Sequence, residues 1–183
     1  ASAFIGDNLD NRALQGVKIN ILMGRSAGFL TAASILARQR EDDGPHLVYV
    51  PERAFSIEQF VKDVEAVFDR YGRCLIAVSE GIRDEQGELW ASKVSVLKQA
   101  NLEKDAFGNV QLGAGSGSFA DYLAGMLRAH CKNIKRVRAD TFGYLQRSFP
   151  EFYSYVDAWE ARLVGQMAVS YSVDSDVNGS VAL

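Results

Sequence analysis

The stretch that decides the fold is VKINILMGRSAG, residues 17–28. Val17, Ile19, Ile21 and Met23 recur at every second position with Lys18 and Asn20 between, which is the period of a strand. Residues 24–28, GRSAG, then carry the chain into a mostly apolar helix. A strand that turns through glycine into a helix leaves backbone N–H groups unpaired at the helix start, where they carry partial positive charge. Arg25 adds a planar donor fork beside them. Such a corner either holds a phosphate or is an ordinary packing turn, and its physics alone leaves both readings open.

Working outward, residues 1–16 contain Asp7, Asn8, Asp10, Asn11 and Gly16 without a clean period, which predicts a loop with at most one helical turn. Residues 29–40 carry good helix formers and end in a charged run before Gly44 and Pro45. Residues 46–50 form a short apolar strand stopped by Pro51. Glu52 at its end reads as a cap or ion-pair partner before it reads as a ligand, and His46 reads as a structural histidine.

Ser56 and Gln59 stand at capping-box spacing, and Ile57, Phe60, Val61, Val64, Phe68 and Tyr71 share one helical face before Gly72 closes it. Residues 73–79 read as a buried strand that delivers Glu80 to its carboxyl end, where open α/β sheets bind ligands. On position alone Glu80 is either a substrate ligand or a structural acid. Residues 89–101 predict a short helix, and Ser118 caps a second with Phe119, Tyr122, Leu123, Met126, Leu127 and His130 on one face. Residues 113–118, GAGSGS, resemble a dinucleotide loop, yet no clear βαβ unit surrounds them, and a lead-in to the helix is the simpler reading. Residues 134–139 read as a strand with Arg136 and Arg138 on one side and Lys135 and Val137 on the other. Val156, Trp159, Leu163, Met167 and Tyr171 recur at helical spacing up to Ser172.

Strands alternating with amphipathic helices argue an α/β fold with a largely parallel sheet and helices on both faces. The 183 residues are 48% hydrophobic, enough for one α/β domain with a real core. A net charge of -3 with dispersed basic residues gives no footprint for nucleic acid. No apolar run approaches the ~18 residues of a membrane span. Cys74 and Cys131 lack both disulfide-framework and metal-ligand spacing, which suits reduced thiols in a cytoplasmic protein.

Several segments together are more specific than any one of them. MGRSAGFLTAAS at 23–34, PHLVYVPE at 45–52, CLIAVSEGI at 74–82, DAFGNVQLG at 105–113 and GYLQRS at 143–148 resemble, in order and at similar spacing, the phosphofructokinase family. DAFGNVQLG looks closer to the pyrophosphate-dependent branch than to the ATP-dependent one. The resemblance implies a three-layer α/β/α domain with a largely parallel sheet, the second of two similar domains, and the chain is expected to be the substrate-side half of a longer enzyme. It also implies phosphoryl transfer to the 1-hydroxyl of fructose 6-phosphate from pyrophosphate or ATP with Mg2+, bound mainly by the other half. Met23, Gly24 and Arg25 then belong to the fructose 6-phosphate site, with Arg25 also catalytic, and Glu80 is the ligand of a sugar hydroxyl. Arg138 corresponds to an arginine that reaches a neighbouring subunit's site in a homo-oligomer, and Tyr144 and Arg147 contact the sugar phosphate. A phosphate dianion is well matched by two or three guanidinium forks. The donor-binding glycine loops and the Thr-Ile-Asp segment with the family's catalytic aspartate do not occur in these residues. After Arg147 the aromatic run SFPEFYSY departs from the family pattern and leaves the rim of the sugar pocket undefined. Two other readings stand beside this one: a non-catalytic module that binds a sugar phosphate, and a dinucleotide- or flavin-binding domain built on the glycines near Gly115.

Overall fold

The computed structural model describes residues 2–97, 118–143, 153–174 and 178–182. The chain divides into two compact units, Ala1–Tyr144 and Leu145–Leu183. The first holds a four-stranded sheet built from β1 (Gly16–Leu22), β2 (Leu47–Tyr49), β3 (Arg73–Ser79) and β4 (Val137–Thr141). The strands run in the order β2-β3-β1-β4, and every pairing is parallel. This is the α/β architecture that the alternation of strands and helices predicts.

One face of the sheet carries the larger core. Ile19, Ile76, Val78 and Val137 pack there against α3 (Ile57–Tyr71), α4 (Trp90–Leu97) and α5 (Ser118–His130). The helix α3 is bounded by its own caps: Ser56 Oγ accepts from Gln59 N at 3.2 Å, and Gly72 at φ +67° closes it by donating to Phe68 O at 2.7 Å. Gln59 does not complete a reciprocal box, because its side chain donates to Asp63 at 2.7 Å instead. The second unit contains α6 (Tyr155–Ser172), whose N-cap Ser154 accepts from Asp157 N at 3.2 Å.

The other face differs from the sequence reading. Residues 1–16, expected as loop, contain α1 (Ser2–Ala13). Its inward positions are Phe4, Asn8 and Asn11, so the period is present but two of its three members are polar. Both asparagines donate inside, Asn8 Nδ2 to Asp43 Oδ1 at 2.6 Å and Asn11 Nδ2 to Gly16 O at 3.0 Å, while Asn11 Oδ1 is buried without a hydrogen-bond partner among the described residues. Leu9 points outward and is 62% exposed. Under α1 lie Lys18 and Asn20, buried along with the rest of β1 rather than alternating with it. Lys18 pairs with Asp140 and Asp7, and Asn20 Nδ2 donates to Asp7 Oδ2 at 2.6 Å. A smaller apolar cluster of Phe4, Leu22, Ala37, Leu75 and Ala77 completes this face.

Two more boundaries move. The helix expected over 29–40 is a single turn, α2 (Phe29–Ala32), followed by a 3-10 turn, Ala33–Ala37. It stops there because Asp43 Oδ2 takes the backbone N–H groups of Gln39 at 3.1 Å and Arg40 at 2.9 Å, and Arg38 is already extended. The last strand runs over Val137–Thr141 rather than 134–139, because pairing with β1 begins at Val17 and Val137. Ile134 N instead donates back to Cys131 O in a turn.

Cys74 and Cys131 are both free and buried. Burial raises both thiols, Cys131 to about 11, so both stay protonated.

Asp43 is the acid on which this face turns. The Arg12 guanidinium, 2.8 Å away, is the largest influence holding its carboxyl well below the usual range, with Asn8 and the two backbone N–H groups adding to it. A carboxyl whose folded pKa is depressed contributes stability above its unfolded value, near 3.8, and loses it as pH falls toward the folded value. Replacing Asp43 by Asn is expected to cost about 1.5–3 kcal/mol at neutral pH. Urea unfolding of the Asp43→Asn protein should also depend less on pH below about 4 than that of the wild type.

Candidate functional site

The exits of β1 and β3 meet at the carboxyl edge of the sheet. Leu22 and Ser79 are partners in register, and Glu80 N donates to Leu22 O at 2.9 Å, so the ladder continues one residue past the strand. Gly24 follows at φ +145°, a conformation glycine adopts readily and other residues rarely. A Cβ on Gly81 would lie 2.3 Å from the Gly24 carbonyl oxygen and 2.2 Å from that of Arg25. The two loops therefore touch backbone to backbone.

Three side chains fix the corner. Glu80 Oε1 accepts from Gly24 N at 3.4 Å. Ser79 Oγ donates to Gly24 O at 2.5 Å. Glu52, beyond the end of β2, accepts from Gly28 N at 2.7 Å and so caps the start of α2. The cap reading of Glu52 fits this bond. Met23, Gly24, Arg25 and Glu80 are thus brought together where ligands bind in open α/β sheets, with Arg25 exposed and Glu80 half-buried.

Arg138 is placed elsewhere. It sits opposite Lys18 in the β1–β4 ladder, four positions or about 13 Å before the end of β1, and its guanidinium pairs with Asp10 of α1. Phe142 N donates to Ile21 O at 3.0 Å and Gly143 turns at φ +54°, at the same carboxyl edge as the corner. Tyr144 and Arg147 lie outside the described residues, as does the glycine stretch around Gly115.

His46 is structural in its contacts: Nδ1 accepts from Leu75 N at 2.9 Å, Nε2 faces Asp42 O at 3.3 Å, and burial holds its pKa below the ordinary value. A cavity of about 320 Å³ lined by Arg38, Glu41, His46, Arg70 and Tyr71 lies before β2 and β3, toward the amino edge of the sheet. The described residues contain no group of three or more His, Cys, Asp or Glu that could hold a metal ion. At the corner, Glu80 and Glu52 each accept from a backbone N–H group, and no third His, Cys, Asp or Glu joins them among the described residues to make a metal cluster.

Ser79 is the member of the corner that the sequence reading passed over. A serine at the end of an apolar strand carries no period. The signal was the pair of small residues around Glu80, Ser79 and Gly81, which marks a place where two backbones approach closely.

A family model described as phosphofructokinase matches residues 8–171. The chain is 54% identical over 183 residues to the pyrophosphate–fructose 6-phosphate 1-phosphotransferase of Rhodospirillum rubrum, covering 100% of this chain and 44% of that protein. It is 37% identical over 151 residues to the protein of the same name from Xanthomonas campestris pv. campestris, covering 82% of this chain and 33% of that one. Among solved structures, the pyrophosphate-dependent phosphofructokinase from Marinobacter aquaeolei superposes with a TM-score of 0.65 at 26% identity, over 94% of this chain and 37% of that one. The chain thus spans less than half the length of each of these relatives.

The close approach of the two loops is directly testable. Gly81→Ala must push the Gly24–Arg25 backbone aside and is expected to lower unfolding free energy by about 1–3 kcal/mol. Gly125→Ala in α5, where a Cβ meets nothing within 4 Å, should be neutral or stabilising by up to about 1 kcal/mol in the same urea titration.

Proposed function

The chain belongs to the phosphofructokinase family, on its pyrophosphate-dependent branch, and from this premise we propose that it forms the fructose 6-phosphate side of a 6-phosphofructokinase. In the reaction, the sugar 1-hydroxyl oxygen attacks the terminal phosphorus of pyrophosphate, the bond to the bridging oxygen breaks, and phosphate leaves with fructose 1,6-bisphosphate as the other product. Catalysis of this kind is mostly positioning and charge neutralisation. The single observation that carries the reading is the meeting of the Met23-Gly24-Arg25 corner with Glu80 at the exits of two adjacent parallel strands, 3.4 Å apart at Gly24 N and Glu80 Oε1.

Each residue has a role in it. The Glu80 carboxylate accepts from a sugar hydroxyl, a bond strengthened by its charge. Arg25 supplies a guanidinium fork to phosphate oxygens and charge stabilisation as the phosphoryl group transfers. Tyr144 and Arg147 bind the 6-phosphate, and Arg138 serves a neighbouring subunit's site in a homo-oligomer. Mg2+ and the proton acceptor for the 1-hydroxyl lie outside the residues assigned here. No helix among the described residues is long and apolar enough to cross a membrane.

The assay is product formation by the full-length protein. Fructose 6-phosphate and pyrophosphate should give fructose 1,6-bisphosphate and phosphate; turnover with ATP alone would contradict the donor. Glu80→Gln removes a charge-assisted bond worth about 1.5–3 kcal/mol, and the KM for fructose 6-phosphate should rise about 10- to 150-fold. The KM for pyrophosphate should stay within about twofold. A variant that lost only pyrophosphate affinity would show that Glu80 faces the donor.

A further inference from the structure

The exits of β1 and β3 are bridged by one side chain that the roles above leave unused. Ser79 is wholly buried and pairs in register with Leu22. A serine hydroxyl has one proton to give and two lone pairs. Ser79 gives its proton to the Gly24 carbonyl at 2.5 Å and accepts from Gly81 N–H at 3.4 Å. One oxygen therefore holds the residue before Arg25 and the residue after Glu80.

The consequence follows from peptide planarity. The Gly24 carbonyl and the Arg25 amide belong to one rigid plane, so fixing that carbonyl sets the direction in which Arg25 leaves the corner. Gly24, at φ +145°, has no side chain to restrict its own backbone. The restraint has to come from elsewhere, and the buried hydroxyl supplies it. Contact between the Gly81 backbone and the carbonyls of Gly24 and Arg25 keeps the two loops too close for a larger bridging group.

We propose that Ser79 is a positioning residue for the sugar-phosphate site, holding Arg25 and Glu80 in mutual alignment through the Gly24 carbonyl and the Gly81 amide; this rests on the fructose 6-phosphate reading above. Ser79 makes no contact with substrate. It acts by pre-organisation, so that binding does not have to order the corner. Such a role should weaken sugar binding without touching the phosphoryl donor.

The test compares Ser79→Thr with Ser79→Val in the full-length protein, beside Glu80→Gln. Threonine and valine have the same shape and differ in the hydroxyl, so both carry whatever cost the added bulk brings. The KM for fructose 6-phosphate should be about 3- to 10-fold higher for Ser79→Val than for Ser79→Thr, with the donor KM equal within about twofold. Equal sugar KM values for the pair, in a protein where Glu80→Gln raises that KM, would overturn the positioning role and leave the site reading standing. If Glu80→Gln also left the sugar KM unchanged, the site reading would fall and the proposal with it. Should the added bulk prevent folding, Ser79→Ala is compared with wild type at a temperature where both are folded. A loss confined to melting temperature then overturns the proposal, and a selective rise in sugar KM supports it.

Discussion

Two backbones meet at the carboxyl edge of this sheet with no room for a side chain between them. The Gly24 and Arg25 carbonyls lie where a Cβ of residue 81 would sit, and the ladder between β1 and β3 runs one bond past the strands through Glu80 N. The placement of Arg25 and Glu80 hangs on that approach. It requires glycine at 24 and 81, a small hydroxyl at 79, and adjacent parallel strands ending at the same level. The register of Leu22 with Ser79 supplies the last condition, and the apolar contacts of Ile19, Ile76 and Val78 beneath it hold that register in place. A slip by one residue would turn those side chains to the other face, so the core and the site are specified together.

The opposite face is held by a different kind of contact. There α1 meets the sheet through Asn8, Asn11 and Asp7, with only Phe4 as an apolar anchor in its buried face. The Asp43 carboxylate gathers Arg12, Asn8 and two backbone N–H groups, which ends the 3-10 turn and ties the loop before β2 to α1. Both Asp43 oxygens accept hydrogen bonds, whereas Asn11 Oδ1 and Asn20 Oδ1 are buried without a partner among the described residues and carry the cost of an unpaired interior group. The two faces therefore divide the labour: apolar packing sets the strands, and charge pairing sets the cover.

That division explains what could be read from the residues. The strand 73–79 was legible as a continuous apolar run, and the helix from Ile57 to Tyr71 and the helix ending at His130 through one-sided apolar stripes and caps, all of them local signals. The first helix was illegible because asparagines occupy the positions a hydrophobic period would need. Lys18 and Asn20 gave β1 the look of a half-exposed strand, since their partners, Asp7 and Asp140, are distant in sequence. In the site, the corner and Glu80 could be named from motif order, but their meeting depends on strand order, β3 beside β1, which no local pattern encodes. Ser79 belongs to the same class: its role comes from what lies across the sheet.

The central claim is that the Gly24–Gly81 corner is where a sugar phosphate binds. Amide chemical-shift perturbation on the 15N-labelled protein during titration with fructose 6-phosphate tests it residue by residue. The account predicts saturable shifts concentrated at the backbone amides of Gly24, Arg25, Glu80 and Gly81. Shifts that instead cluster around His46, Arg70 and Tyr71 at the amino edge, with the corner amides unmoved, would contradict it.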